Sequence, residues 1–184
     1  MAPPSICVFC GSSQNVSPMF INLARDVGAM LAKRKARIIY GGARNGMMGA
    51  LADGAIAAGG TIIGILPVTL RDRELAHPGL TELHIVDSMY ERKERMDAMS
   101  DAFLALPGGF GTLDELFEMV TTRQLGYHEK RVALINGDGF YHGLLAWMRR
   151  AVHERFIPES LRNAIEVVPD LAALDAWVAS LQKP

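Results

Sequence analysis

Residues 102–116 run A-F-L-A-L-P-G-G-F-G-T-L-D-E-L: five unbroken apolar residues, a turn of proline and glycine, then a segment of helical character. An apolar run this short suits a strand covered on both faces, as in a parallel sheet, better than it suits a helix. The glycines allow a sharp turn, and the helix that follows presents N–H groups with no partner of their own. The same succession recurs in both directions. Strands are expected at residues 6–9, 37–40, 61–66, 82–86, 102–106, 132–136 and 165–168, and helices at 18–35, 47–58, 88–100, 112–125, 141–156 and 170–182. Ser17 reads as an N-cap with Pro18 in the first helical position, and Ser88 to Glu91 and Thr112 to Glu115 read as capping boxes. Regular alternation of this kind predicts an α/β fold with a doubly wound, mainly parallel sheet flanked by helices. At 184 residues the chain is expected to be a single domain, 1–184, with residues 67–78 its least regular stretch.

Composition narrows the function. Lys and Arg number 19 against 20 Asp and Glu, a formal charge of −1, which provides no electrostatic footprint for nucleic acid or an anionic membrane. No stretch approaches the ~20 apolar residues of a membrane helix, and Met1 to Ser5 has no signal-peptide character. A soluble, cytoplasmic protein is expected. The only cysteines, Cys7 and Cys10, fall three apart inside a strand, so they point to opposite faces. They read as buried thiols, neither a redox pair nor half of a metal site. His77, His84, His128, His142 and His153 have no ligand or triad spacing, and no metal site is expected. Ser12 and Ser13 lack the nucleophile elbow.

In open parallel sheets ligands bind beyond the carboxyl ends of the strands, where strand order reverses. Two glycine loops occupy such positions. Gly108, Gly109, Gly111 and Thr112 form the better anion site, and Gly41, Gly42, Gly46 and Gly49 repeat the design; Gly11 and Ser12 follow the first strand. Neither loop continues into Gly-Lys-Ser/Thr, which disfavours a triphosphatase, and the spacing is not that of a dinucleotide fingerprint. A mononucleotide fits better.

Arg92 falls on the apolar helix face of Met89, Met96 and Met99, where a charge is out of pattern. It is either a snorkelling side chain reaching solvent or Asp97, or a clamp for phosphate or carboxylate. Lys93 taken alone reads as solvated. Asp114 and Glu115 open the helix after the glycine loop; adjacent helical residues diverge by about 100°, so one of them, Glu115, is expected to face the pocket. Glu74 lies in the irregular Arg71-Asp-Arg-Glu74 stretch and by composition is surface charge.

Taken together, Cys10-Gly-Ser-Ser13, Tyr40-Gly-Gly42 with Gly46-Met-Met-Gly49, Glu91-Arg-Lys93 with Met96, and Pro107-Gly-Gly-Phe-Gly-Thr-Leu-Asp-Glu115 resemble the Lonely Guy family over nearly the whole chain. The resemblance implies a Rossmann-like homodimer that hydrolyses the N-glycosidic bond of cytokinin riboside 5′-monophosphates, and of AMP, without a cofactor. By motif match Arg92 and Glu115 are the implied catalytic pair. Glu74, Lys93, Gly109, Phe110, Gly111, Thr112, Leu113, Asp114 and Thr121 are the implied substrate contacts. Gly11, Ser12, Gly41, Gly42, Gly46 and Gly108 are candidates for the nucleotide loops. The family pattern has two glutamates at the end of the loop; here the first is Asp114, which puts its contact in doubt. The expected roles are that the loop of residues 107–112 holds the 5′-phosphate and that Glu115 orients water or a ribose hydroxyl and stabilises the sugar cation. Arg92 would position the substrate or keep Glu115 ionised. Two rivals remain: a nucleotide or cofactor carrier without turnover, and a pyridoxal-phosphate decarboxylase, which is the older label of the family, using Lys93 or Lys130 as its Schiff base.

Overall fold

Strand β1 (Ser5–Phe9) is buried along its whole length, as an apolar run covered on both faces must be. In the computed structural model, which describes residues 3–71 and 75–181, β1 is the centre of the sheet. It pairs in parallel with β2 (Arg37–Tyr40) on one side and β5 (Ala102–Ala105) on the other, with Cys7 opposite both Ile39 and Phe103. With β3 (Thr61–Pro67), β4 (Glu82–Val86), β6 (Arg131–Ile135) and β7 (Glu166–Val168), the order is β4-β3-β2-β1-β5-β6-β7, and every pairing is parallel. The chain winds outward from β1 to β4, then restarts beside β1 with β5. Between β1 and β5 the order reverses, which opens a crevice at their carboxyl ends.

Helices α1 (Pro18–Lys33), α2 (Gly46–Ala57) and α7 (Leu171–Leu181) cover one face, around a core that includes Ile6, Val8, Cys10, Ile38 and Leu104. Helices α4 (Met89–Ala98), α5 (Phe110–Gln124) and α6 (His142–His153) supply Met96, Leu116 and Met148 to the opposite core with Cys7, Phe9, Ile39 and Phe103. Period-two alternation along β1 and into the residue beyond it thus sends the thiols of Cys7 and Cys10 to opposite sides of the sheet, as the sequence reading expected. Helices α1 and α2 touch through glycine: a Cβ on Gly28 would stand 2.1 Å from the Leu51 carbonyl oxygen, and one on Gly54 2.0 Å from that of Arg25.

Three local expectations need correction. The irregular stretch contains a short helix, α3 (Val68–Arg71), and a 3-10 turn, Glu159–Leu161, follows α6; both are too short to leave a periodic signal. Helix α1 stops at Lys33 rather than residue 35, because Lys35 takes φ of 58°. Most consequentially, α5 starts two residues before Thr112. Its N-cap is Gly109 and no side chain caps it, so Thr112 and Glu115 form no capping box. Thr112 packs beneath Gly108, where a Cβ would lie 2.0 Å from its Oγ1, and Glu115 is turned toward the sheet. The box at Ser88 forms by half: Ser88 Oγ accepts from the Glu91 N–H at 3.1 Å, while Glu91 Oε2 accepts from the N–H of Asp87, one residue before the N-cap, rather than from that of Ser88.

Candidate active site

A cavity of about 540 Å3 fills the crevice between β1 and β5. Gly11, Ser12 and Ser13 form one wall, and residues 107–112 and the first turns of α5 form another. Phe20 and Phe140 meet edge to face at 5.6 Å and, with Val16, close an apolar side. Met48, Met89 and Arg92 line the remainder.

Arg92 does not snorkel. It is 5% exposed, and its Nε donates to the Ile65 carbonyl at 3.1 Å and its Nη2 to the Gly41 carbonyl at 3.3 Å. Asp97, the acid that the snorkelling alternative offered besides solvent, is paired with Lys130 at 2.6 Å. A Cβ at Gly41 would stand 1.9 Å from Nη2, so a side chain there would push the guanidinium off this seat. Backbone at the ends of β2 and β3 therefore holds the guanidinium in place, leaving Nη1 between Met89 Sδ at 3.7 Å and Glu115 Oε1 at 3.6 Å. Of the expected apolar face of α4, Arg92 and Met96 are buried, while Met89 is half-exposed at the cavity.

Glu115 is 4% exposed. Burial pushes its carboxyl up to about 7, against the pull of Arg92 and with the help of Asp114. Desolvation thus outweighs the guanidinium, and Glu115 is shared between its two protonation states near neutrality. Asp114 also lines the cavity, at its exposed rim, so both neighbours contribute, one at the floor and one at the edge.

Ahead of the first α5 bond, Leu113 N–H to the Gly109 carbonyl, the N–H groups of Phe110, Gly111 and Thr112 have no internal acceptor among the described residues. With the positive end of the helix dipole behind them, they suit an anion.

Gly11, Ser12, Arg92, Gly108, Gly109, Phe110, Gly111, Thr112, Asp114 and Glu115 thus meet in one cavity. Gly41, Gly42 and Gly46 stand behind it: Gly41 supports Arg92, the Gly42 carbonyl accepts from His77 N–H, and Gly46 packs against the backbone of Ser12 and Ser13. Lys93, Leu113 and Thr121 lie outside it. Lys93 pairs with Glu118 and with Asp114; burial alone would lower its ammonium, but those two bonds hold it above its ordinary value. A Schiff-base lysine must be available as the free amine, so Lys93 does not suit pyridoxal phosphate, and Lys130 is committed to Asp97. Leu113 and Thr121 border a shallow groove on the outer side of α5 with Phe110 and Phe117. Glu74 lies outside the described residues. Among those residues, no group of three His, Cys, Asp or Glu side chains could hold a metal, and no helix is long and apolar enough to cross a membrane.

The sequence reading missed Phe20 and Phe140, whose rings meet across 120 residues of chain, and the two carbonyls that seat Arg92. Neither is carried by a local motif.

A doubly wound parallel sheet with a glycine turn, a free helix N-terminus and a buried guanidinium–carboxylate pair at its switch point defines a Rossmann-like α/β protein built to handle a small anionic ligand. A family model described as "Possible lysine decarboxylase" matches residues 48–176. The chain is 40% identical over 183 residues to a cytokinin riboside 5′-monophosphate phosphoribohydrolase of Rhodococcoides fascians, covering 99% of this chain and 91% of that protein. It is 44% identical over 164 residues to a phosphoribohydrolase of the same description from Arabidopsis thaliana, covering 89% and 76% respectively. Among solved structures, the molybdenum cofactor binding protein of Rippkaea orientalis matches with a TM-score of 0.75 at 22% identity over 98% of each chain, a likeness of fold. The chain belongs to the Lonely Guy family, that of the cytokinin riboside 5′-monophosphate phosphoribohydrolases.

Proposed function

We propose that the protein hydrolyses the bond between base and ribose in cytokinin riboside 5′-monophosphates and in AMP, releasing the free base and ribose 5-phosphate. The observation that carries this reading is the buried Glu115 carboxyl facing Arg92 at 3.6 Å in the same cavity as the unpartnered N-terminus of α5. The N–H groups of Phe110, Gly111 and Thr112 hold the 5′-phosphate, which fixes the ribose against Glu115. As the C1′–N bond breaks, the sugar develops cationic character, and ionised Glu115 stabilises it and orients a water. That water gives its hydroxyl to C1′ and its proton, by way of Glu115, to the departing base. Arg92 is permanently charged and transfers no proton; it steadies the Glu115 carboxylate. Phe20 and Phe140 provide an apolar wall for the base.

The test is chromatographic. Protein incubated with AMP, and separately with isopentenyladenosine 5′-monophosphate, should release base and ribose 5-phosphate in equal amounts. Binding of both nucleotides without product would overturn hydrolysis in favour of a carrier.

A homodimer is part of the same reading. The outer side of α5 exposes Phe110, and Phe117 stacks edge to face on the half-exposed Trp147 of α6 at 6.1 Å. Phe110 borders both this face and the cavity, so a second copy seated here adjoins the cavity mouth. Trp147→Glu should convert a two-chain particle to a single chain in analytical ultracentrifugation; an unchanged mass would rule out this face.

A further inference from the structure

Tyr141, the residue that caps α6, is 3% exposed and belongs to none of the motifs above. Its N–H donates to Asn136 Oδ1 at 2.8 Å, which anchors it to the end of β6. Its hydroxyl crosses beneath the crevice and donates to the Leu106 carbonyl at 2.7 Å. Leu106 precedes the glycine turn, and the peptide groups entering that turn are held one after another. Leu106 N–H donates to the Phe9 carbonyl at 2.9 Å, and the Pro107 carbonyl accepts from Gly11 N–H at 3.1 Å. The Gly108 N–H faces the Tyr141 phenol oxygen and works against the upward push of burial on that hydroxyl. Leu106 and Pro107 are thereby fixed to β1 and to Tyr141, and beyond Gly108 and Gly109 come the unpartnered N–H groups of Phe110, Gly111 and Thr112. An anion site gains from donors that are already aimed, because no ordering is then left to binding.

We propose that Tyr141 is a positioning residue: through its hydroxyl it fixes the entry to the glycine turn, so that the N–H groups of Phe110, Gly111 and Thr112 remain aimed at the 5′-phosphate of the substrate. This rests on reading the cavity as a nucleotide site. Tyr141→Phe keeps the ring and its packing and removes only the oxygen, leaving the Leu106 carbonyl without its donor. The expected result is a rise in KM for AMP of about tenfold with kcat within about twofold, the scale of one lost hydrogen bond. Ribose 5-phosphate, followed by calorimetry, should bind about tenfold more weakly to the variant than to the wild type. A purely structural role would lower kcat for AMP as well as raise its KM, and that result, or an unchanged KM and ribose 5-phosphate affinity, would overturn the proposal. If the wild type releases no base from AMP, the hydrolase reading falls, and the calorimetric comparison still decides the role of Tyr141. Failure of the wild type to bind ribose 5-phosphate at all would overturn both.

Discussion

Glu115→Gln should lower kcat for AMP by about 10^3-fold while making the protein more stable at alkaline pH. The amide has the shape of the carboxyl but can neither carry the charge that stabilises the sugar cation nor relay a proton. The gain in stability follows from the same burial. The folded carboxyl titrates at about 7, above its ordinary value of 4.5, so the folded chain holds this proton more tightly than the unfolded chain does. Stability is fully present below about pH 4.5 and is lost as pH rises through about 7, a total of about 3 kcal/mol from this group. That shift already includes the attraction of Arg92, so ionised Glu115 remains a net cost in spite of its partner. A neutral amide escapes it. Urea denaturation at pH 5 and pH 8 should show the variant gaining on the wild type at the higher pH only, and a loss at pH 8 would mean that the ion pair is net stabilising. In the wild type, the acid limb of kcat/KM should lie near pH 7.

Arg92→Ala should reduce kcat/KM by about 10^2-fold and move that acid limb to higher pH. The guanidinium is one of the influences holding the Glu115 carboxyl down, so its removal leaves desolvation less opposed. The carbonyls of Ile65 and Gly41 lose their donor as well, which costs about 1–3 kcal/mol for each acceptor left dry. Arg92→Lys restores a positive charge but not the planar fork that spans the two carbonyls. Its limb should return toward neutrality while its stability stays below that of the wild type. A pH–rate profile from about 5 to 9 separates these outcomes; a limb unmoved by Arg92→Ala would mean that Arg92 does not act on Glu115.

What the residues disclose in advance depends on the range over which each feature is determined. All seven strands were legible: in β1, β2, β3, β5 and β6 continuous burial writes itself into consecutive apolar residues, whereas the edge strands β4 and β7 are partly exposed and admit Glu82, His84 and Glu166. Arg92 was legible as an anomaly, a charge on a face that otherwise reads as core. The start of α5 was not. Thr112 and Glu115 satisfy the local rule for a capping box, but the helix begins earlier, with Gly109 as its N-cap, and both side chains turn inward. Only the tertiary structure shows that Glu115 finds its partner on α4, and that the Arg92 guanidinium rests on carbonyls 27 and 51 residues away in sequence. Lys93, which taken alone reads as solvated, is largely covered and pairs with Asp114 and Glu118, partners that no local pattern announces. Tyr141 carried no signal because its hydrogen bond to Leu106 spans 35 residues.

The two cysteines give the molecule a property of practical use. Cys7 and Cys10 are the only thiols in the chain, both are buried, and the sheet separates them. Burial raises both above the ordinary thiol value, so neither supplies the thiolate on which alkylating reagents act. The native surface therefore behaves as though it were cysteine-free. A single replacement at an exposed helical position such as Arg149→Cys would create one addressable handle for a fluorophore or spin label, with no background to engineer away.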